Sequence, residues 1–233
     1  MGGGGFSMEP ENPLLDAFVL SLASDPCPRV CFLATAGGDA DSYVMRFYRA
    51  FGRLDCRPTD LSLFVREVAD LEAFVAEQDV VYVGGGSTAN LLAVWRAHGL
   101  DAILRGAWER GTVLCGISAG MNCWFEASVT DSLGPGLAPL TDGLGLLAGS
   151  ACPHYDGEPE RRLTYRRLIA SGELPAGWAA DDGAALVFED DRLVEVVASR
   201  PGVHAYAVAR APGGEVHERP LGVRHLGTER QDA

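Results

Sequence analysis

The sequence predicts an α/β fold: a three-layer α/β/α sandwich with a mostly parallel sheet and a short antiparallel addition near the C-terminus. Three observations predict it. Short runs rich in β-branched and apolar residues, at 29–35, 79–83 and 112–117, have the length and continuous apolarity of buried strands. Amphipathic stretches of about ten residues lie between them, the alternation that builds a parallel sheet covered on both faces. Glycine-rich turns close two of the runs, at Gly84-Gly85-Gly86 and at Gly116-Ile117-Ser118-Ala119-Gly120.

Taken in order, the chain opens with Met1-Gly2-Gly3-Gly4-Gly5. No strand precedes this run, so it reads as a flexible tail. Asn12-Pro13 supplies a helix cap with proline at the first position, opening a helix to about residue 23. A strand at 29–35 leads through a glycine turn into a helix at 41–51. A strand at 60–65 and a short helix at 71–77 follow. The strand at 79–83 ends in the triple glycine. Helices at 89–98 and 102–110 precede the strand at 112–117, and a further helix starts at 119 and reaches 126. The apolar run 144–152 reads as a buried strand ending at Pro153-His154. After Trp178 the pattern changes to short strands separated by turns, at 184–188, 193–197 and 205–209. No repeat or low-complexity linker divides the chain. With 233 residues, 47% of them hydrophobic, 1–233 reads as a single α/β domain.

Composition narrows the chemistry. No apolar run reaches the roughly 20 residues that span a bilayer, and the first residues do not have the form of a signal peptide. A formal net charge of −13 argues against nucleic acid or an anionic membrane as partner. All 19 basic side chains are arginine. The absence of lysine excludes a Ser–Lys dyad, a Schiff base and a Walker-type phosphate site. The six cysteines show neither C-x-x-C nor zinc spacing, which fits a reduced, cytoplasmic protein with no metal.

The chemistry is placed at G-x-S-x-G, with Ser118 at the bend between strand and helix. A strand that turns straight into a helix forces a strained corner, and the flanking glycines keep other side chains clear of it. The serine oxygen is thereby exposed, and the Ala119 N–H faces the place where an oxyanion develops. Gly85 or Gly86 is the second candidate donor. A serine needs a base, and His154 stands at the end of a buried run as a base must. His225 is the rival. Asp182, within Ala179-Ala180-Asp181-Asp182-Gly183, is the favoured orienting acid, with Asp181 and Asp131 as alternatives.

With these residues assembled, the chain resembles the peptidase E family, the S51 serine peptidases that include the cyanophycinases and share a fold with class I glutamine amidotransferases. The matching pieces are Tyr82-Val83-Gly84-Gly85-Gly86-Ser87-Thr88, Gly116 to Asn122, Thr130-Asp131-Ser132, Cys152-Pro153-His154-Tyr155 and Asp182-Gly183. They cover most of the chain in the family's order. The resemblance implies Ser118 as nucleophile, His154 as base and Asp182 as acid, where peptidase E has glutamate. It implies an oxyanion hole from Ala119 and the glycine run, and substrate contacts from Arg161, Arg162 and Asn122. No cofactor is implied. The expected substrates are short peptides, with removal of an N-terminal aspartate from dipeptides as the family's best-known act, and a homodimer is one option for assembly.

Three departures from the family pattern bear on this. The family's Gly-Gly-Asn-Thr is Gly85-Gly86-Ser87-Thr88 here. Its G-E-T-R, whose arginine helps read the substrate, is Gly157-Glu158-Pro159-Glu160, with Arg161 and Arg162 just beyond. The family generally has a strand ahead of the N-terminal glycines, so either a late start in this chain or a sheet short of one strand is expected. Two other functions stay open at this stage: an esterase or amidase of the α/β-hydrolase type using Ser118–Asp182–His225, and a non-catalytic protein that binds a peptide or metabolite.

Overall fold

The apolar runs of the first half do form an all-parallel sheet. The structure, a computed structural model, describes residues 1–227. Its strands are β1 (Arg29–Leu33), β2 (Arg57–Asp60), β3 (Val80–Val83), β4 (Val113–Gly116), β5 (Phe125–Thr130), β6 (Ala138–Leu140), β7 (Leu147–Cys152), β8 (Gly177–Ala180), β9 (Ala184–Glu189), β10 (Arg192–Ala198), β11 (Ala205–Arg210), β12 (Val216–Pro220) and β13 (Arg224–His225). The helices are α1 (Gly5–Met8), α2 (Leu14–Ser21), α3 (Asp41–Phe51), α4 (Leu71–Ala76), α5 (Thr88–His98), α6 (Leu100–Glu109), α7 (Ala119–Asn122) and α8 (Pro159–Ser171).

The first sheet has the order β2-β1-β3-β4, parallel throughout. Its side chains divide by the two-residue period of a strand. Val30, Phe32, Val80 and Tyr82 enter one core with Phe47 and Phe51 of α3. Cys31, Leu33, Val81 and Val83 enter the other with Leu91, Trp95 and Leu104 of α5 and α6. Burial on both faces is why these strands are apolar without alternation.

A six-stranded sheet follows, in the order β12-β11-β8-β7-β5-β6. Its centre, β5, β7 and β8, is parallel. Strands β6, β11 and β12 pair antiparallel at the flanks. A third sheet, β13-β10-β9, is built on the antiparallel hairpin β9–β10. The result is a mixed α/β fold with a parallel sheet and added antiparallel strands.

Several elements depart from expectation, each for a local reason. The helix after Ser118 stops at Asn122, because Phe125-Glu126-Ala127-Ser128-Val129-Thr130 is β-branched at its end and pairs with β7. The strand expected at 60–65 lies instead at Arg57–Asp60, where Pro58 is tolerated because β2 is an edge strand. Helix α8 is opened by Pro159 at its first position, a signal the sequence reading had passed over.

The N-terminal glycines are the largest departure. Met1 to Phe6 are buried. The Met1 amine donates to Gly116 O at 2.9 Å, and Met1 O accepts the Ser118 N–H at 3.2 Å. Gly2 N–H donates to Ala184 O, and Gly3 O accepts from Gly183 N–H, both at 3.0 Å. Three residues thus join the end of β4 to the start of β9. Behind them a cavity of about 470 Å³ opens between β4 and β9, lined by Val113, Cys115, Ala185 and Val187 among others.

Candidate active site

Ser118 sits where β4 passes into α7, at φ 57° and ψ −110°. A non-glycine residue at positive φ is strained, and such strain persists only where the surroundings impose it. Here they do. A Cβ on Gly116 would lie 2.3 Å from Gly120 O, and one on Gly120 would lie 2.4 Å from Val83 O. The elbow is therefore packed backbone against backbone, with the serine at its outer corner, half-buried. Gly85 stands beside it: a Cβ there would be 3.4 Å from Ser118 Cβ.

The donors around the serine can be counted one by one. Ser118 N–H is taken by Met1 O, and Gly120 N–H by Ile117 O. Gly85 N–H donates to the Tyr43 hydroxyl at 3.0 Å. Among the described residues, Gly86 N–H and Ala119 N–H have no such acceptor. Of the two glycines expected as donors, Gly86 is the one left available. Its φ of 137° and the Ala36 carbonyl only 2.1 Å from where its Cβ would be make glycine obligatory there.

His154 lies just beyond β7, also at positive φ, 52°. Its Nδ1 and Asp182 Oδ1 are 2.6 Å apart, with both side chains mostly buried. Asp182 is fixed through its Oδ1, its N–H and its carbonyl. Its N–H donates to Asp156 Oδ1 at 2.9 Å, and its carbonyl accepts from Arg200 at 2.8 Å. Gly3 and Gly157 close on its carboxylate from two sides: a Cβ at either would come within 2.1 Å and 2.8 Å of it. The chain from Met1, bonded to Ser118, to Gly3, against Asp182, is three residues long. An extended chain of that length spans about 10 Å, so one short segment links the serine elbow to Asp182.

The alternatives for the acid and base fall elsewhere. Asp181 is buried and turned away, accepting the His204 N–H at 2.8 Å, and burial raises its pKa. Asp131 is exposed. His225 belongs to β13, paired with Ala198 of β10, while Asp182 is engaged by His154.

The expected substrate residues are placed differently from the serine and histidine. Arg161 is buried and held by Glu158 at 2.7 Å. Arg162 pairs with Glu218 and lies over the rings of Tyr155 and Tyr206. Asn122 is 3% exposed, and its amide donates to Thr88 Oγ1 and Val129 O. Arg161 and Asn122 are thus internal ties, while Arg162 is paired but keeps an exposed side chain. Sequence reasoning missed Tyr43, Asp156 and Gly3. The first two carry no pattern of their own, and Gly3 lay within a run taken for a tail.

Comparison with known proteins gives the family. The family model described as Peptidase family S51 matches residues 1–196. The chain belongs to peptidase family S51. Among its S51 relatives, an uncharacterized peptidase of Bacillus subtilis (strain 168), YgaJ, is 56% identical over 97% of both chains. A peptidase E of Streptomyces coelicolor (strain ATCC BAA-471 / A3(2) / M145) is 31% identical over 71% of this chain and 70% of its own. The crystal structure of a peptidase from an acI-B1 Actinobacterium superposes with a TM-score of 0.64 over 96% of this chain and 92% of that one, at 18% identity, and so shares the fold. A peptidase of the S51 family is thus established, and with it a hydrolase. Among the described residues no helix is long and apolar enough to cross a membrane.

Proposed function

We propose that this S51 peptidase is a serine-type exopeptidase or dipeptidase that hydrolyses short peptides through an acyl-enzyme on Ser118. The observation that carries the reading is the 2.6 Å pair of His154 Nδ1 and Asp182 Oδ1, linked through residues 1–3 to a strained serine elbow. His154 removes the Ser118 proton as Oγ attacks the scissile carbonyl, then delivers it to the leaving amine. Asp182 holds the ring in the tautomer that leaves Nε2 for the serine, and stabilises the imidazolium that forms. Gly86 and Ala119 N–H receive the oxyanion. Each such donor contributes about 3 kcal/mol to the transition state. Water then enters by the same route in reverse.

The chain of roles needs neither metal nor organic cofactor. With Arg161 and Arg162 both committed to glutamates, neither supplies a free cation for an aspartyl side chain. We therefore assign the substrate class as short peptides and let the side-chain preference rest on experiment. Hydrolysis of Asp-Leu, Ala-Leu and Leu-Asp is compared for the wild type, Ser118→Ala and His154→Ala. The expected result is cleavage that falls by at least about 10³ in both variants. Cleavage that survives Ser118→Ala ends the serine mechanism. Cleavage confined to Asp-Leu restores an aspartyl preference and calls for a cation other than Arg161 or Arg162.

A further inference from the structure

We propose that Tyr43 is a positioning residue for the oxyanion turn, acting through Gly85; this rests on the serine-peptidase reading above. A triple glycine has no side chains with which to hold its own conformation, and glycine gives the chain its greatest freedom. Yet the turn must present one N–H in one direction for preorganised stabilisation of charge. Something outside it must fix the peptide planes.

The structure shows what does. On one side Gly84 N–H is tied to Leu33 O, and beyond the turn Ser87 N–H is tied to Ala36 O. Between them Gly85 N–H donates to the Tyr43 hydroxyl oxygen at 3.0 Å. With Gly85 so held, the next amide, Gly86 N–H, is the one in the turn without an acceptor among the described residues. The phenol in turn is immobile. Its ring is 7% exposed and packs against Phe6 and Phe32, with centroids 5.7 and 5.1 Å away. It lies so close to Gly84 that a Cβ there would be 2.8 Å from the ring. Arg46 covers the ring at 4.7 Å. The hydroxyl has a second partner, Ser7 Oγ at 2.9 Å, so it can donate to Ser7 while accepting from Gly85. The chain Ser7–Tyr43–Gly85 thus links α1 to the turn beside the nucleophile.

Tyr43→Phe keeps the ring and deletes only the hydroxyl, and Ser7→Ala removes the outer link. Three readouts are taken: melting temperature, the rate of Ser118 labelling by a fluorophosphonate together with kcat and KM on the best dipeptide, and amide hydrogen exchange of the peptide covering 84–88. For Tyr43→Phe the expected result is labelling and kcat lowered by about 10- to 100-fold with KM within about twofold. Exchange in 84–88 is accelerated while the rest of the chain is unchanged. Ser7→Ala gives the same pattern in weaker form. Wild-type kcat and exchange in Tyr43→Phe overturn the proposal, as does a loss of activity matched by a lower melting temperature and faster exchange throughout. The exchange readout needs no Ser118 chemistry. If the wild type itself fails to label, the peptidase reading falls, and local exchange still decides whether Tyr43 fixes the turn.

Discussion

The two halves of the site are positioned by different physics. On the Ser118 side the backbone does the placing: Gly116 and Gly120 bring main chain against main chain at distances no Cβ could share, and the serine takes the strain of a 57° φ. On the His154 side polar bonds do it. Asp182 uses a carboxylate oxygen, its N–H and its carbonyl on His154, Asp156 and Arg200. Steric placement has no graded failure, since a buried carbonyl cannot move aside as a flexible side chain can. Hydrogen-bonded placement fails one bond at a time and can leave the fold intact.

That contrast can be broken most sharply at Asp182. Asp182→Asn keeps the size of the side chain but cannot hold the base in the same tautomer. Turnover is expected to fall by about 10⁴ while the melting temperature changes by only a few degrees. A drop below tenfold would show that the acid does not orient His154. Gly120→Ala probes the other half. Its methyl meets Val83 O at 2.4 Å, so both readouts should fall together. Overpacking of about 2–3 kcal/mol corresponds to a melting temperature roughly 5–10 °C lower. An Ala variant that melts like the wild type would mean the elbow yields more readily than its packing indicates.

The smallest effect sharpens the comparison through pH. Asp16 of α2 lies buried under the Ser118 half, accepting the Tyr82 hydroxyl at 3.0 Å, and burial pushes its pKa up to about 7. The native state keeps this proton as pH rises from about 4 to about 7, whereas the unfolded chain has released it. Asp16 therefore supports the fold fully below pH 4, and that support is lost as pH rises through 7. Asp16→Asn should flatten this slope, read as denaturation midpoints at pH 5 and pH 7.5. An unchanged slope would place the titrating group elsewhere.

How much of this was legible in the sequence depended on the range of the determining contact. Ser118 was legible because its constraint is local: a strand, two glycines and a helix within a few residues. The pairing of His154 with Asp182 was legible in part, because both are polar residues at the ends of apolar runs. The N-terminal glycines were not legible. Their partners are Gly116, Ser118, Gly183 and Ala184, more than a hundred residues away, and a glycine run by itself looks like coil. The pairing of Arg162 with Glu218 was not legible for a related reason, since its partner lies 56 residues further along the chain. The pairing of strands into three sheets likewise depends on long-range register, which no local run encodes.

The buried position of Met1 has a practical consequence for making the protein. Its nitrogen is enclosed against Gly116 O, at the end of the cavity between β4 and β9. A residue fused to Met1 would turn that amine into a peptide N–H, at a cavity lined by Val113 and Val187. A polyhistidine tag and its linker fused there would bring polar groups to an apolar cavity beside the residue whose carbonyl accepts the Ser118 N–H.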